Sequence, residues 1–190
     1  EAQNIQLIGI SKTGGFPSVL RTSAEPNSTG NAGDLSLKTN TLILKDGAQV
    51  VTSTFSNGEG GNLTIEAQDL QLIGRNKTGR FPSAILASTR PNSTGNAKDL
   101  TIKTNTLLVK DGAKVDAGTL GEGNGGNLTV EAENIQLIGT SKDNRFPSVL
   151  ATSAERSSTG KAGDLNITTN ILQLENGAEL SVRGFGKETT

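Results

Sequence analysis

Three aspartates recur at a fixed interval and carry the carboxylates best placed for chemistry. Asp34, Asp99 and Asp164 are equally spaced along the chain, and a stacked fold would place Asn62 and Asn127 in the layers between them. Stacked carboxylates could bind a cation or act as a general acid–base pair. Repulsion between like charges favours the mixed column of Asp and Asn, and either residue at a strand entrance usually caps its own turn. The favoured interpretation of these aspartates is therefore structural.

Two glycine-rich loops have the composition of an anion or calcium cradle. They read SNGEGGN at residues 56–62 and GEGNGGN at residues 121–127. A phosphate-binding loop leads from a strand into a helix and usually carries Lys followed by Ser or Thr, and neither feature follows these loops. Calcium-binding nonapeptide repeats need regularly spaced Asp, whereas Glu59 and Glu122 stand alone. We therefore interpret both loops as tight turns.

Three Phe-Pro-Ser elements supply most of the aromatic rings, and they begin at Phe16, Phe81 and Phe146. A ladder of such rings could bind carbohydrate. Alternatively, the rings could pack into one wall of the core while Pro restricts the entry to the next strand. The core wall is the favoured interpretation.

The composition excludes several common kinds of active site. The 190 residues include no Cys, His, Met, Trp or Tyr, so a histidine base, a thiolate nucleophile, a disulfide and a zinc–thiolate site are all excluded. The formal net charge of −1 argues against a nucleic-acid partner, which requires a basic face. No apolar run is long enough for a membrane span, so we expect no membrane insertion of this segment. We expect no catalytic residue, no cofactor and no metal site.

A long internal repeat organises the chain. The sequence EAQNIQLIG at residues 1–9 recurs with few changes at residues 66–74 and 131–139, which defines a 65-residue period. The repeats are therefore 1–65, 66–130 and 131–190, and the whole of 1–190 is expected to be one solenoid segment of a longer array. Within one period, GGNLTIEAQDLQLIG at 60–74 is a weaker echo of AGDLSLKTNTLILKD at 32–46, which predicts two unequal coils in each period.

Apolar residues alternate at period two within each coil, which predicts β-strands. Comparison of the three copies adds positions that stay large and aliphatic, and these are expected to face the core as well. Between the alternating runs, Asn should turn a left-handed corner, and an Asp-Gly or Asn-Gly pair should form a turn. The predicted core ladder is Leu35, Leu37, Leu42, Leu44, Leu63, Ile65, Leu70, Leu72, Leu20, Ile85 and Leu150. The predicted corner and turn residues are Asn40, Asn105, Asn170, Gly47, Gly112 and Gly177.

The fixed period favours an all-β solenoid of parallel strands over antiparallel hairpins. Equivalent residues in such a stack lie about 4.8 Å apart, so each loop type must recur at one place in every coil. Two coils in each of nearly three periods predict about six coils.

Several phrases resemble the repeats of filamentous haemagglutinin-type exoproteins of two-partner secretion, particularly those of cyanobacteria. These phrases are GNGGNLTVEAENIQLIGTS, FPSVLATSA, GNAGDL and LLVKDGAKV, and the resemblance covers essentially the whole chain. It implies a right-handed parallel β-helix, export through an outer-membrane partner, and a role at the cell surface as an adhesin or fibre. A signal peptide and an N-terminal secretion domain are not recognisable in this sequence.

The leading hypothesis is a non-catalytic structural and adhesive rod, either extracellular or on the outer cell surface. Its expected partners are the neighbouring repeats of the same chain, further copies stacked end to end or side by side into fibres, and a surface glycan or cell partner. The alternative is a β-helix protein that binds or cleaves polysaccharide, with Asp34, Asp99 and Asp164 as the candidate carboxylates. A designed consensus repeat would explain the regularity too, although the drift between copies favours natural duplication.

Overall fold

A computed structural model describes residues 2–12 and 15–184. Residue 1, residues 13–14 and residues 185–190, which belong to the predicted repeats 1–65 and 131–190, lie outside the described residues. The described part is all-β and contains no helix. No helix of the described part is therefore long and apolar enough to cross a membrane.

The strands form two parallel sheets. The strands are β1 (Ala2–Ile8), β2 (Val19–Ala24), β3 (Leu35–Lys45), β4 (Gln49–Thr54), β5 (Leu63–Glu66), β6 (Asp69–Ile73), β7 (Ala84–Thr89), β8 (Leu100–Lys110), β9 (Lys114–Gly118), β10 (Leu128–Ile138), β11 (Val149–Ala154), β12 (Leu165–Glu175) and β13 (Glu179–Gly184). Sheet 1 has the order β1-β3-β5-β8-β10-β12, and β6 continues the line of β5 between β3 and β8. Sheet 2 has the order β13-β11-β9-β7-β4-β2. The prediction of an all-β fold with parallel strands is confirmed.

The register of the sheets repeats the spacing of the sequence. In sheet 1, Leu35 pairs with Leu63 and Leu63 pairs with Leu100, so a shorter step alternates with a longer one. In sheet 2, Val50 pairs with Ile85 and Ile85 pairs with Val115, and the two steps are again unequal. In both sheets, two successive steps span one 65-residue period, from Leu35 to Leu100 and from Val50 to Val115. We call a strand of sheet 1, together with the strand of sheet 2 that follows it, a layer.

The core lies between the sheets and consists of aliphatic side chains. Of the predicted core ladder, eight residues are fully buried, namely Leu42, Leu44, Leu63, Ile65, Leu70, Leu72, Ile85 and Leu150. Leu20, Leu35 and Leu37 are partly buried and pack against this cluster. Leu35 and Leu37 have a strand neighbour on one side only, because β1 pairs with β3 from Thr39 onward.

The predicted left-handed corner at Asn40, Asn105 and Asn170 is wrong. These residues lie inside the continuous strands β3, β8 and β12, and none of them has a positive φ. The residues that face the core nevertheless change from odd to even positions here, since Thr39 and Leu42 are both buried while Asn40 between them is exposed.

Threonine allows the strand to shift phase without a turn. The hydroxyl of Thr39 donates to the carbonyls of Gln3 in the adjacent layer and Thr41 in its own strand, at 2.9 and 3.1 Å. Thr104 and Thr169 make the equivalent pair of bonds one and two periods later. At each shift a threonine hydroxyl therefore adds a hydrogen bond to the adjacent layer and one to its own strand.

Gly47, Gly112 and Gly177 occupy tight turns between the sheets. Their φ angles are 91°, 81° and 81°, and the preceding Asp46 has a φ of 55°. Positive φ at both central residues is the geometry of a type I′ turn. Such a turn is typical of hairpins, but here it joins strands of different sheets.

Candidate functional site

The column of Asp and Asn residues connects adjacent layers. The backbone N–H of Asn62 donates to Oδ1 of Asp34 at 2.8 Å, and that of Asn127 donates to Oδ1 of Asp99 at 3.0 Å. The N–H of Asp164 donates to Oδ1 of Asn127 at 2.9 Å. The side chains of Asp34, Asp99 and Asn127 therefore cap the backbone of the next layer rather than their own turn, whereas the Asn62 amide donates back to Oδ1 of Asp34 at 3.2 Å. An Asn separates consecutive aspartates in the column, and among the described residues no cluster of acidic side chains could hold a metal ion.

The glycine-rich loops stack backbone on backbone. A Cβ on Gly61 would lie 2.0 Å from the carbonyl oxygen of Gly33, and one on Gly126 would lie 2.0 Å from that of Lys98. Glu59 forms an ion pair with Lys98 in the adjacent layer, and the hydrogen bond and charge of Lys98 lower the pKa of that carboxyl. These loops serve close contact between layers and leave no room there for a bound anion.

Phe16, Phe81 and Phe146 lie outside the core, so the core-wall interpretation is wrong. Phe16 is 74% exposed and the other two are half-buried. The reason is that the Pro after each Phe closes an antiparallel bridge across a loop outside the sheets. The guanidinium of Arg75 lies 3.9 Å from the centre of the Phe146 ring, and that of Arg145 lies 5.2 Å from it. The ring of Phe146 is thus occupied by cation–π contacts within the loops.

The serine of each Phe-Pro-Ser element has a role that sequence reasoning missed. Ser83 and Ser148 are fully buried. The Ser148 hydroxyl donates to the carbonyl of Ile138 at 2.7 Å and accepts from the N–H of Gly112 at 3.0 Å. Ser83 makes the same two bonds in an earlier layer. The fixed spacing between this Ser and the turn Gly is the signal that could have predicted the contact.

An open groove runs along the outer face of sheet 1, where the strands shift phase. It has a volume of about 880 Å³ and is lined by side chains from adjacent layers. We call it the axial groove. Its first row alternates in charge, with ion pairs of 3.3 Å between Lys38 and Glu66 and of 3.2 Å between Lys103 and Glu131. Its second row, two positions further along the strands, consists of Gln3, Asn40, Gln68, Asn105 and Glu133.

A smaller pocket of about 190 Å³ lies on the outer face of sheet 2 beside the Phe146 loop. We call it the charged pocket, because its lining includes Arg75, Lys114, Glu155, Glu179 and Arg183.

Asp116 lies next to the charged pocket and is only 4% exposed. Its carboxylate is 3.0 Å from Nζ of Lys114 and accepts a hydrogen bond of 3.1 Å from Ser153, and both of these partners line the pocket. Burial raises the pKa of Asp116, and the charge of Lys114 offsets part of that effect. The equivalent residues of the other repeats are Val51 and Ser181. This departure from the repeat is the signal that could have identified the position from the sequence.

Comparison of the chain with protein-family models, curated proteins and solved structures gives no match.

Proposed function

We propose that the chain is a segment of a right-handed parallel β-helix of about six coils. Strand–crossover–strand connections between parallel strands are right-handed in nearly all proteins, which supports this hand. The alternation of a shorter and a longer register step in sheet 1 supports a coil that closes twice in each period.

Its function is that of a non-catalytic structural and adhesive rod at the outer cell surface or outside the cell. The observation that supports this proposal is that the polar residues best placed for chemistry make contacts between layers. The aspartate column, the glycine loops, and Ser83 and Ser148 of the Phe-Pro-Ser elements all contact an adjacent layer. The resemblance to filamentous haemagglutinin-type exoproteins supports the surface location.

Electron microscopy of the native material tests the rod. Antibodies raised against residues 2–184 should label thin filaments or fibres on intact producing cells. Labelling of globular particles, or labelling only after the cells are broken, would contradict the proposal.

Binding of polysaccharide is a second candidate function, and the axial groove is the observation that favours it. Cleavage is tested by incubating the chain with a panel of acidic glycans and assaying the products. Turnover that is lost in Asp34→Asn, Asp99→Asn or Asp164→Asn would overturn the non-catalytic proposal.

A further inference from the structure

The axial groove repeats one chemical pattern from layer to layer. Lys38 pairs in register with Glu66, Glu66 with Lys103, and Lys103 with Glu131. Neighbouring strands in a sheet lie about 4.8 Å apart, so the five layers that line the groove extend over about 19 Å. A groove that presents the same groups at a constant pitch suits a polymer with a repeating unit better than a compact molecule.

The charges of the groove are largely compensated within it. Lys38 and Lys103 each form an ion pair with a glutamate of the neighbouring layer. Among the described residues that line the groove, Glu133, at one end of the second row, is the remaining charge. An anionic polymer would meet this unpaired carboxylate, and any charged polymer would have to compete with the existing ion pairs. The electrostatics therefore favour an uncharged ligand.

The second row supplies hydrogen-bonding groups that the protein itself does not use. Asn40, Gln68 and Asn105 are exposed, and their side-chain amides make no hydrogen bond to another residue of the described ranges. An amide both donates and accepts, as does a sugar hydroxyl. By contrast, the strand backbone beneath the row is paired in the sheet ladder, so an extended peptide has no free strand edge to join.

We propose that the axial groove binds a linear, uncharged polysaccharide lying along the stacking direction. The proposal rests on the polysaccharide-binding candidate above and names its ligand class and site. The groove contains no aromatic side chain, so each sugar is held by hydrogen bonds alone. Affinity therefore accumulates along the polymer rather than residing at one subsite.

Calorimetric titration with oligosaccharides of increasing length tests the proposal. The probes are three uncharged linear series, namely cello-, xylo- and manno-oligosaccharides, with oligogalacturonates and chitosan oligosaccharides as the anionic and cationic comparisons. We expect at least one uncharged series to bind, with an affinity that rises with length until the oligomer spans the groove. Absence of binding by all three uncharged series, or tighter binding of either charged series, would overturn the proposal.

A double variant, Gln68→Ala with Asn105→Ala, locates the binding. Loss of two neutral hydrogen bonds should weaken binding about tenfold. The matched control is Gln136→Ala with Gln173→Ala, which removes an exposed amide pair from sheet 1 outside the groove and should leave the affinity unchanged. Equal affinity of the double variant and the wild-type chain, with unchanged thermal unfolding, would place the ligand elsewhere and refute the assignment. These titrations use single chains in solution, so their outcome is independent of whether the microscopy finds filaments.

Discussion

The two edges at which the chain crosses between the sheets use glycine for different physical reasons. We call residues 25–34, 55–62, 90–99, 119–127 and 155–164 the glycine edge, and residues 9–12, 15–18, 46–48, 74–83, 111–113, 139–148 and 176–178 the loop edge. At the glycine edge, a Cβ on Gly95 would lie 1.9 Å from the carbonyl oxygen of Gly58 in the adjacent layer. At the loop edge, Gly74 has a φ of 73° and open space around its Cβ position. The first glycine is required by contact between layers, and the second by its own backbone conformation.

This difference explains why the loop edge varies in length from layer to layer. Its crossings alternate between short turns such as 46–48 and long loops such as 74–83. The glycine edge brings the layers into backbone contact at every crossing and thus fixes their spacing. At the loop edge the short turns also approach the adjacent layer closely, since a Cβ on Gly112 would lie 2.9 Å from Ser141, but Gly74 and Gly139 in the long loops have open space around them. The long loops can therefore carry the insertions, the exposed aromatic rings and one side of the charged pocket.

Adding one methyl group at the glycine edge should have the largest effect. Gly95→Ala forces the new Cβ into the backbone of the adjacent layer and should cost about 3 kcal/mol or more of unfolding free energy. Gly30 is the equivalent residue one period earlier, and nothing lies within 4 Å of its Cβ position. Gly30→Ala is therefore the matched control and should be tolerated. Urea unfolding followed by circular dichroism measures both, and equal stability of the two variants would contradict the stacking explanation.

Removing the serine that links the loop edge to the next layer should have an intermediate effect. Ser148→Ala leaves the N–H of Gly112 without its partner and removes one of the two hydrogen bonds to the carbonyl of Ile138, at a cost of about 2 kcal/mol. Within the described residues, the Ser18 hydroxyl makes only the carbonyl bond, at 2.9 Å, and Ser18 is partly exposed. Ser18→Ala should therefore cost clearly less in the same unfolding experiment. A Ser148→Ala chain as stable as the wild type would show that the link between layers is dispensable.

Much of the fold could be predicted because periodicity constrains the backbone directly. Neighbouring strands pair in the register that aligns their core-facing residues. The spacing of Leu35, Leu63 and Leu100, which pair in this way, can be read directly from the sequence. The position of Phe81 could not be predicted in this way. A repeated aromatic residue is equally compatible with a core ladder and with a loop that recurs once per period, and only the bridge between Arg75 and Pro82 decides between them.

The candidate sites were harder to predict than the fold. The axial groove lies where the core-facing residues of a strand change from odd to even positions, at Thr39 in β3. Such a change is visible in the sequence, but it is equally compatible with a turn and with a bent, continuous strand. The charged pocket borders Asp116, which has no equivalent carboxylate in the other repeats and so could not be found by an argument from periodicity. Repetition thus predicts what the layers share, whereas a site confined to one layer has to be found from its contacts.

Neutralising Asp116 tests whether the outer face of sheet 2 tolerates a buried charge. Burial raises the pKa of this carboxyl in the folded chain, so the folded state holds a proton that the unfolded state has already lost. Stability from this group therefore falls as the pH rises from about 4, the ordinary pKa of Asp, through the raised value, and it stays lower above that value.

Asp116→Asn should accordingly raise the unfolding free energy at neutral pH, because the amide carries no charge that has to be buried. The gain should shrink as the pH falls through the raised pKa of Asp116 toward about 4, and it should be absent below about 4. Asp99→Asn, at an exposed column position where Asn occurs in other layers, is the control for the same change in net charge. Thermal unfolding across this pH range measures both variants. An Asp116→Asn chain less stable than the wild type at neutral pH would show that the ion pair with Lys114 outweighs the cost of burial.

The smallest effect is expected at Gly74, and it separates the two uses of glycine most cleanly. Gly74→Ala introduces no clash but places an L-residue in the left-handed region, which costs about 1 kcal/mol. Asn tolerates that region better than Ala, so Gly74→Asn should recover part of the loss. At Gly95, Ala should instead be the better substitute, because the longer side chain of Asn worsens the contact with backbone atoms of the adjacent layer. Thermal unfolding of Ala and Asn variants at both positions gives the comparison. If Asn is also the better substitute at Gly95, backbone conformation rather than contact between layers controls the glycine edge as well.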